Sequence, residues 1–164
     1  MKKGGGKSKG SSFERSIAKK IVKGFKSFGI EQRECWRSVL SGGHEISAGD
    51  LYLSNRLMKL FPWAVECKFR KKIRWENFLL GDGKSEEVKW VRQALDGAKK
   101  IEGLSALLVL KANHCPIFVI KKVQKDLGKP VLFLLDTWWV VQPWLKFIKD
   151  AVEEAKLKHR RKIQ

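Results

Sequence analysis

Acidic residues are scarce in this 164-residue chain: 17 Asp and Glu stand against 35 Lys and Arg, a formal charge of +18. A chain so short of acid is poorly suited to a cationic partner and well suited to a polyanion. Charge alone does not separate DNA from RNA, or nucleic acid from an anionic membrane surface. Cysteine is also sparse. Cys35, Cys67 and Cys115 lie far apart, with no Cys-x-x-Cys and no paired His spacing, which argues against a structural zinc site. An odd cysteine count without a signal peptide implies reduced thiols in a cytoplasm-like compartment. Long apolar runs are missing as well. The longest, such as Val131–Leu135, are far too short to span a bilayer, so a soluble chain with no membrane partner is expected.

Core material is plentiful: hydrophobic residues make up 43%, with seven Trp and nine Phe. The length suits one domain with a substantial core, and the composition argues against wholesale disorder. The first ten residues carry four Lys and no acid, and residues 156–164 carry five Lys and Arg and no acid. Residues 1–10 are therefore expected as a flexible basic arm and 156–164 as a basic tail, around a domain spanning 11–155. Subtracting the +9 of the two ends leaves +9 on that domain, which is basic in its own right.

Ser11-Ser12-Phe13-Glu14 offers a capping box, and Phe13, Ile17, Ile21, Phe25 and Phe28 recur at helical spacing up to Gly29. Residues 31–40 alternate loosely as a first strand with Cys35 inward. A Gly- and Ser-rich stretch follows, and Asp50–Leu53 reads as a second strand leading into an insertion, Ser54–Trp63. Ala64–Phe69 is the third. Val88, Val91, Leu95, Ala98 and Ile101 mark a helix from Glu86 to Ile101, and Ala106–Lys111, Ile117–Val123 and Val131–Leu135 read as strands. Asp136–Trp139 reads as a turn whose Trp pair could extend the last strand, and Pro143 can open a final helix. The order is that of an α/β domain: a mixed central β-sheet flanked by helices.

The third strand carries the chemistry. Its side chains alternate faces, so Val65, Cys67 and Phe69 turn inward while Glu66 and Lys68 share the other side. Charges on a strand otherwise apolar enough to be buried must be paired or bind a metal. Asp50, after Gly49, can supply a second carboxylate, and the backbone carbonyl of Cys67 a third oxygen. Such hard oxygen donors suit a divalent ion acting on a phosphodiester. Lys68, a compact mobile charge, can orient the attacking water or offset charge on the phosphorane. A Glu-x-Lys pair also suits a solvated strand face, and Glu14 alone suits a helix cap. Arg70, Lys71 and Lys72 lie downstream, on a run that can track a nucleic-acid backbone. His44 reads as an exposed loop residue, His114 as part of a turn, and Trp138, Trp139 and Trp144 as core or dimer surface.

Lys9-Gly10-Ser11-Ser12-Phe13-Glu14-Arg15, Trp36-Arg37-Ser38 with Ser41-Gly42, Gly49-Asp50 and Glu66-Cys67-Lys68 occur in an order that resembles the Holliday junction resolvases of archaea and phages. These belong to the PD-(D/E)xK nuclease superfamily, and the likeness covers residues 9–70. It implies a restriction-endonuclease-like fold in which Glu14, Asp50 and Glu66 hold Mg²⁺, with Mn²⁺ as the alternative. Lys68 would be the catalytic lysine and Arg15 and Arg37 would contact phosphate near the cut, while Ser38 or Ser41 would lie on the loop entering the junction. Branched DNA would be the partner and a homodimer the working unit. Gly49 departs from the Pro that often precedes the first Asp, and the Ser54–Trp63 insertion lengthens the spacing to Glu66. Two other readings stand beside this one: a restriction-like or repair nuclease acting on linear or flap DNA, and a basic nucleic-acid-binding protein that no longer cuts.

Overall fold

The helical spacing from Phe13 to Phe25 becomes the buried face of α1 (Gly5–Gly24), where Phe13, Ile17, Ala18, Ile21 and, just beyond, Phe25 all lie in the core. The computed structural model describes residues 5–38, 49–81, 83–123, 131–135 and 137–161. Helix α1 starts six residues ahead of the expected Ser11, so Ser11–Glu14 lies inside the helix and caps nothing. Residues 5–10, expected in a flexible arm, are helical. Extending an existing helix gains a hydrogen bond for each residue fixed, so an anchored apolar face can carry polar turns with it.

Two short strands, β1 (Cys35–Arg37) and β2 (Leu51–Leu53), pair antiparallel with Trp36 opposite Tyr52 and Arg37 opposite Leu51. The insertion is a helix, α2 (Asn55–Leu60), capped by the Ser54 hydroxyl, which accepts from Leu57 N at 3.1 Å. Its Arg56 donates to the carbonyls of Phe28 and Gly29 and pairs with Glu34, tying the end of the α1 segment in place. The third strand, β3 (Trp63–Arg70), pairs in parallel with β4 (Ser105–Ala112), setting Glu66 opposite Leu108 and Lys68 opposite Leu110.

Between these strands run α3 (Trp75–Leu80) and α4 (Glu86–Lys99). The first of them has no apolar repeat long enough to mark it in the sequence. It depends on Glu87 of α4, a buried carboxylate that accepts from Arg74 N at 3.2 Å and from the Asn77 side chain at 2.6 Å. After β4, the strands β5 (Phe118–Val123), β6 (Val131–Leu134) and β7 (Thr137–Pro143) complete a five-stranded mixed sheet in the order β3-β4-β5-β7-β6. The stretch expected as a turn around Trp138 and Trp139 is thus the start of a strand, inserted between β5 and β6. Trp139 is fully buried, and Trp138 is 39% exposed. Pro143 closes β7, and α5 (Trp144–Arg161) starts at the next residue, so the basic tail expected from Lys156 is helical as far as Arg161.

The sheet separates two apolar clusters. On one face α1, α2 and α5 pack on Val65, Cys67, Leu107, Val109 and Val119; on the other, α3 and α4 pack on Ala106, Leu108, Leu110 and Ile120. The β1–β2 hairpin joins the edge of β3 through a parallel bridge between Gly49 and Val65. Asp50 N donates to Val65 O at 2.8 Å there, and Ser38 N donates to Asp50 O at 2.9 Å.

Gly49 makes this bridge possible. Its φ is +90°, and a Cβ placed on it would lie 2.4 Å from Val65 O. Proline, fixed near −65°, cannot take this conformation, so this backbone has no place for Pro at position 49. Gly49→Ala is expected to lose roughly 1–3 kcal/mol of stability, or more if the hairpin lifts away from β3. Urea denaturation midpoints of the two proteins measure this; an unchanged midpoint would refute the close-approach account.

Candidate active site

Asp50 is set by the backbone on both sides. Its N–H and C=O hold β3 and β1 respectively, and its side chain turns along the β3 edge, where Oδ2 accepts from Cys67 N at 2.8 Å. In a strand, the N–H and C=O of one residue point to the same neighbouring side. The Cys67 carbonyl therefore lies on the same edge as Asp50, as the expected third oxygen requires, and the Cys67 side chain turns into the core.

Glu66 is 8% exposed and Lys68 lies beside it, with Nζ 2.5 Å from Glu66 Oε1. Their common face is the one expected from alternation. Glu14 comes from α1 and accepts a 2.5 Å hydrogen bond from Arg37 Nε of β1. The expected cap is therefore replaced by an ion pair across the helix–hairpin junction. No local pattern signals this pairing, because 23 residues separate the partners.

Burial first, and then the charge of Glu66, push the Asp50 carboxyl from its ordinary 3.8 up to about 6. Glu14 adds a smaller push in the same direction, while the Cys67 N–H and Lys68 pull it down. Glu14, Glu66 and Lys68 are thus each close enough to act on the charge of Asp50. They do not form a single tight cage: among the described residues, no three of His, Cys, Asp and Glu are grouped so as to hold one ion. Instead each carboxylate faces a donor of its own: Arg37 for Glu14, Cys67 N–H for Asp50 and Lys68 for Glu66. The Cys67 thiol, fully enclosed, is raised well above its ordinary value by burial and by the neighbouring carboxylates, so it stays protonated and unreactive.

The remaining expected contacts divide. Arg37 joins the site through Glu14. Arg15 is exposed on α1, on the side of the helix away from the core, beside Lys19, Lys20 and Lys23. Among the described residues, no acid pairs with these four cations. On α4 and α5, by contrast, Lys99, Lys146, Lys156 and Lys158 each have an acid three or four residues away. Arg70 sits over the Trp90 ring at 5.0 Å and 3.9 Å from Glu86, while Lys71 and Lys72 are exposed. Ser38 lies at the end of β1, bonded to Asp50; Ser41 and His44 lie outside the described residues. His114 is exposed in a turn at φ 58° just past the end of β4.

Residues 5–139 match the family described as "Phage putative PDDEXK endonuclease". The chain belongs to this family. No curated protein and no solved structure matches it. Membership places the chain among nucleases of the PD-(D/E)xK type, which generally use divalent metal ions, on a mixed α/β fold of the expected kind. No helix among the described residues is long and apolar enough to cross a membrane.

The raised Asp50 pKa sets a pH dependence. Between about pH 4 and 6 the folded state binds a proton that the unfolded chain has released, so stability from this group is greatest in acid and is lost as pH rises through about 6. Asn carries no charge and still offers Cys67 N–H an acceptor. Asp50→Asn is therefore expected to stabilise the metal-free protein by roughly 1–3 kcal/mol above about pH 7. Denaturation in EDTA at two pH values tests this, with the gain shrinking towards about pH 5; a gain equal at both values would remove Asp50 ionisation as its source.

Proposed function

We propose that this chain is a Mg²⁺-dependent endonuclease selective for branched DNA, working as a homodimer on four-way or similar junctions. The observation that supports the nuclease chemistry is the proximity of Asp50, Glu66 and Lys68 at β3, with the Asp50 pKa raised first by burial and then by the charge of Glu66. A group so placed gains from a cation. Asp50 and Glu66, with the Cys67 carbonyl on the same edge, would hold the ion, and Glu14 would join on release from Arg37. The fit is one of donor chemistry: hard oxygens and no inward thiolate. Mn²⁺ would satisfy the same donors.

The ion, when bound, polarises the scissile phosphate and acidifies a water. The chain's own residues do the rest. Lys68, paired with Glu66 here, would be the positive group available to the attacking water or to the charge growing on phosphorus once Glu66 served the ion. Arg37, paired with Glu14 here, is a fork-shaped donor that would suit a phosphate oxygen if Glu14 joined the ion. Arg15, Lys71 and Lys72 would hold flanking phosphates by charge. The choice of branched over linear DNA rests on the motif order across residues 9–70, and the pairing of two chains rests on the same likeness together with the need for two cuts to resolve a junction.

A labelled synthetic four-way junction incubated with Mg²⁺ tests this reading. Paired symmetric nicks are expected, with Asp50→Asn and Lys68→Ala each slowing them by about 100-fold or more. Absence of nicking by the unmutated protein, or full activity in both variants, would overturn the nuclease assignment. Equal cutting of a continuous duplex in competition would leave a nuclease without branch selectivity.

A further inference from the structure

The β1–β2 hairpin carries a feature that metal-dependent hydrolysis does not use. Trp36 and Tyr52 face each other across the two strands with ring centroids 4.0 Å apart and planes at 23°, a stacked pair. Both are partly exposed. Cys35, Leu51 and Leu53 turn to the core and Arg37 turns to Glu14 of α1, so period-two alternation sends Trp36 and Tyr52 to the opposite face. The bridge between Gly49 and Val65 fixes which face this is. It aligns inward Val65 with Gly49, and so places Asp50 and Tyr52 on the side of the strand layer that Glu66 and Lys68 occupy. Helix α4 covers β3 and β4 on that side, while the aromatic pair keeps part of its surface exposed.

Tyr52 is two residues from Asp50, about 7 Å along the strand, which is one or two nucleotides of a DNA strand. An aromatic surface at that distance from the reacting phosphate is matched in size and chemistry to one nucleobase. We propose that the Trp36–Tyr52 stack is a platform on which an unpaired base beside the scissile phosphate stacks, so that the enzyme favours DNA with an interrupted helix over continuous duplex. The inference rests on the nuclease reading for its partner. Bases inside a duplex already stack on their neighbours and have no face to offer, whereas a base at a gap, flap or junction has one. Cross-strand aromatic pairs also stabilise hairpins, a contribution that would be indifferent to DNA structure.

The test compares binding of a duplex with a single-nucleotide gap and of the same duplex sealed, in Ca²⁺, which shares the preference for oxygen donors. Trp36→Leu and Tyr52→Leu are each expected to weaken the gapped complex by about 5- to 150-fold and to leave the sealed complex within about twofold. Trp36→Phe, which keeps a ring, should retain most of the preference. Equal weakening on both DNAs, or none on the gapped DNA, overturns the platform. A second measurement uses the unmutated protein and needs no variant to fold: 5-iododeoxyuridine at the gap is photo-cross-linked and the modified peptide is mapped. Linkage to Trp36 or Tyr52 supports the proposal, and linkage solely elsewhere overturns it. If the protein nicks no DNA with Mg²⁺ or Mn²⁺ yet cross-links at these positions, the nuclease reading fails and the platform stands. If it nicks and cross-links solely elsewhere, the platform fails and the nuclease reading stands.

Discussion

Everything in the candidate site hangs on how Asp50 is pinned to β3. Two hydrogen bonds do it, Asp50 N to Val65 O and Cys67 N to the Asp50 carboxylate, both 2.8 Å long. They anchor a hairpin whose strands are only three residues each, too short to be stable alone, to the edge of a five-stranded sheet. The same contacts set Asp50 beside Glu66, orient the Cys67 carbonyl towards the site and bring Arg37 under α1 to meet Glu14. Gly49 is what lets the two backbones approach, and its left-handed conformation cannot be shared with most residues. A small geometric requirement at one glycine therefore propagates to four charged side chains.

Charge follows a clear division across the molecule. Lys146, Lys156 and Lys158 of α5 are compensated locally by acids on the same helix, while the outer side of α1 is not. Its one acid, Glu14, is turned inward to Arg37, leaving Arg15, Lys19, Lys20 and Lys23 without an acidic partner among the described residues. The overall excess of +18 is thus unevenly felt, and an approaching polyanion is steered by this asymmetry before any contact forms.

Much of the fold is legible in the chain because its signals are local. Alternation in Trp63–Arg70 puts Val65 and Cys67 inside and Glu66 and Lys68 together, and the long amphipathic repeats locate α4 and α5. What escapes depends on distant partners. Helix α3 relies on Glu87 from the following helix, and the strand holding Trp139 relies on neighbours on both sides in the sheet. The start of α1 escapes because a Ser-x-x-Glu string describes a cap equally well wherever a helix happens to begin. The site is half readable: residue types and faces come from one strand, but the Arg37–Glu14 pair and the stacked Trp36–Tyr52 pair need the register of the hairpin. Cys35 and Leu51, both pointing inward, hint at that register, and the pairing of Cys35 with Leu53 and Arg37 with Leu51 fixes it.

The two ion pairs at the site carry a further consequence when they are counted together. With Asp50 ionised, Glu14, Asp50 and Glu66 contribute three negative charges against the two positive ones of Arg37 and Lys68, a local sum of −1. A divalent cation would invert that sign to +1. The site would then repel a phosphate before loading and attract it afterwards, so occupancy by the ion and by DNA would each raise the affinity for the other. Arg37 and Lys68 would act as resident counter-ions, keeping the carboxylates tolerable in a protein waiting for its metal. The order of events, ion first and polyanion second, would be written into the electrostatics of five side chains.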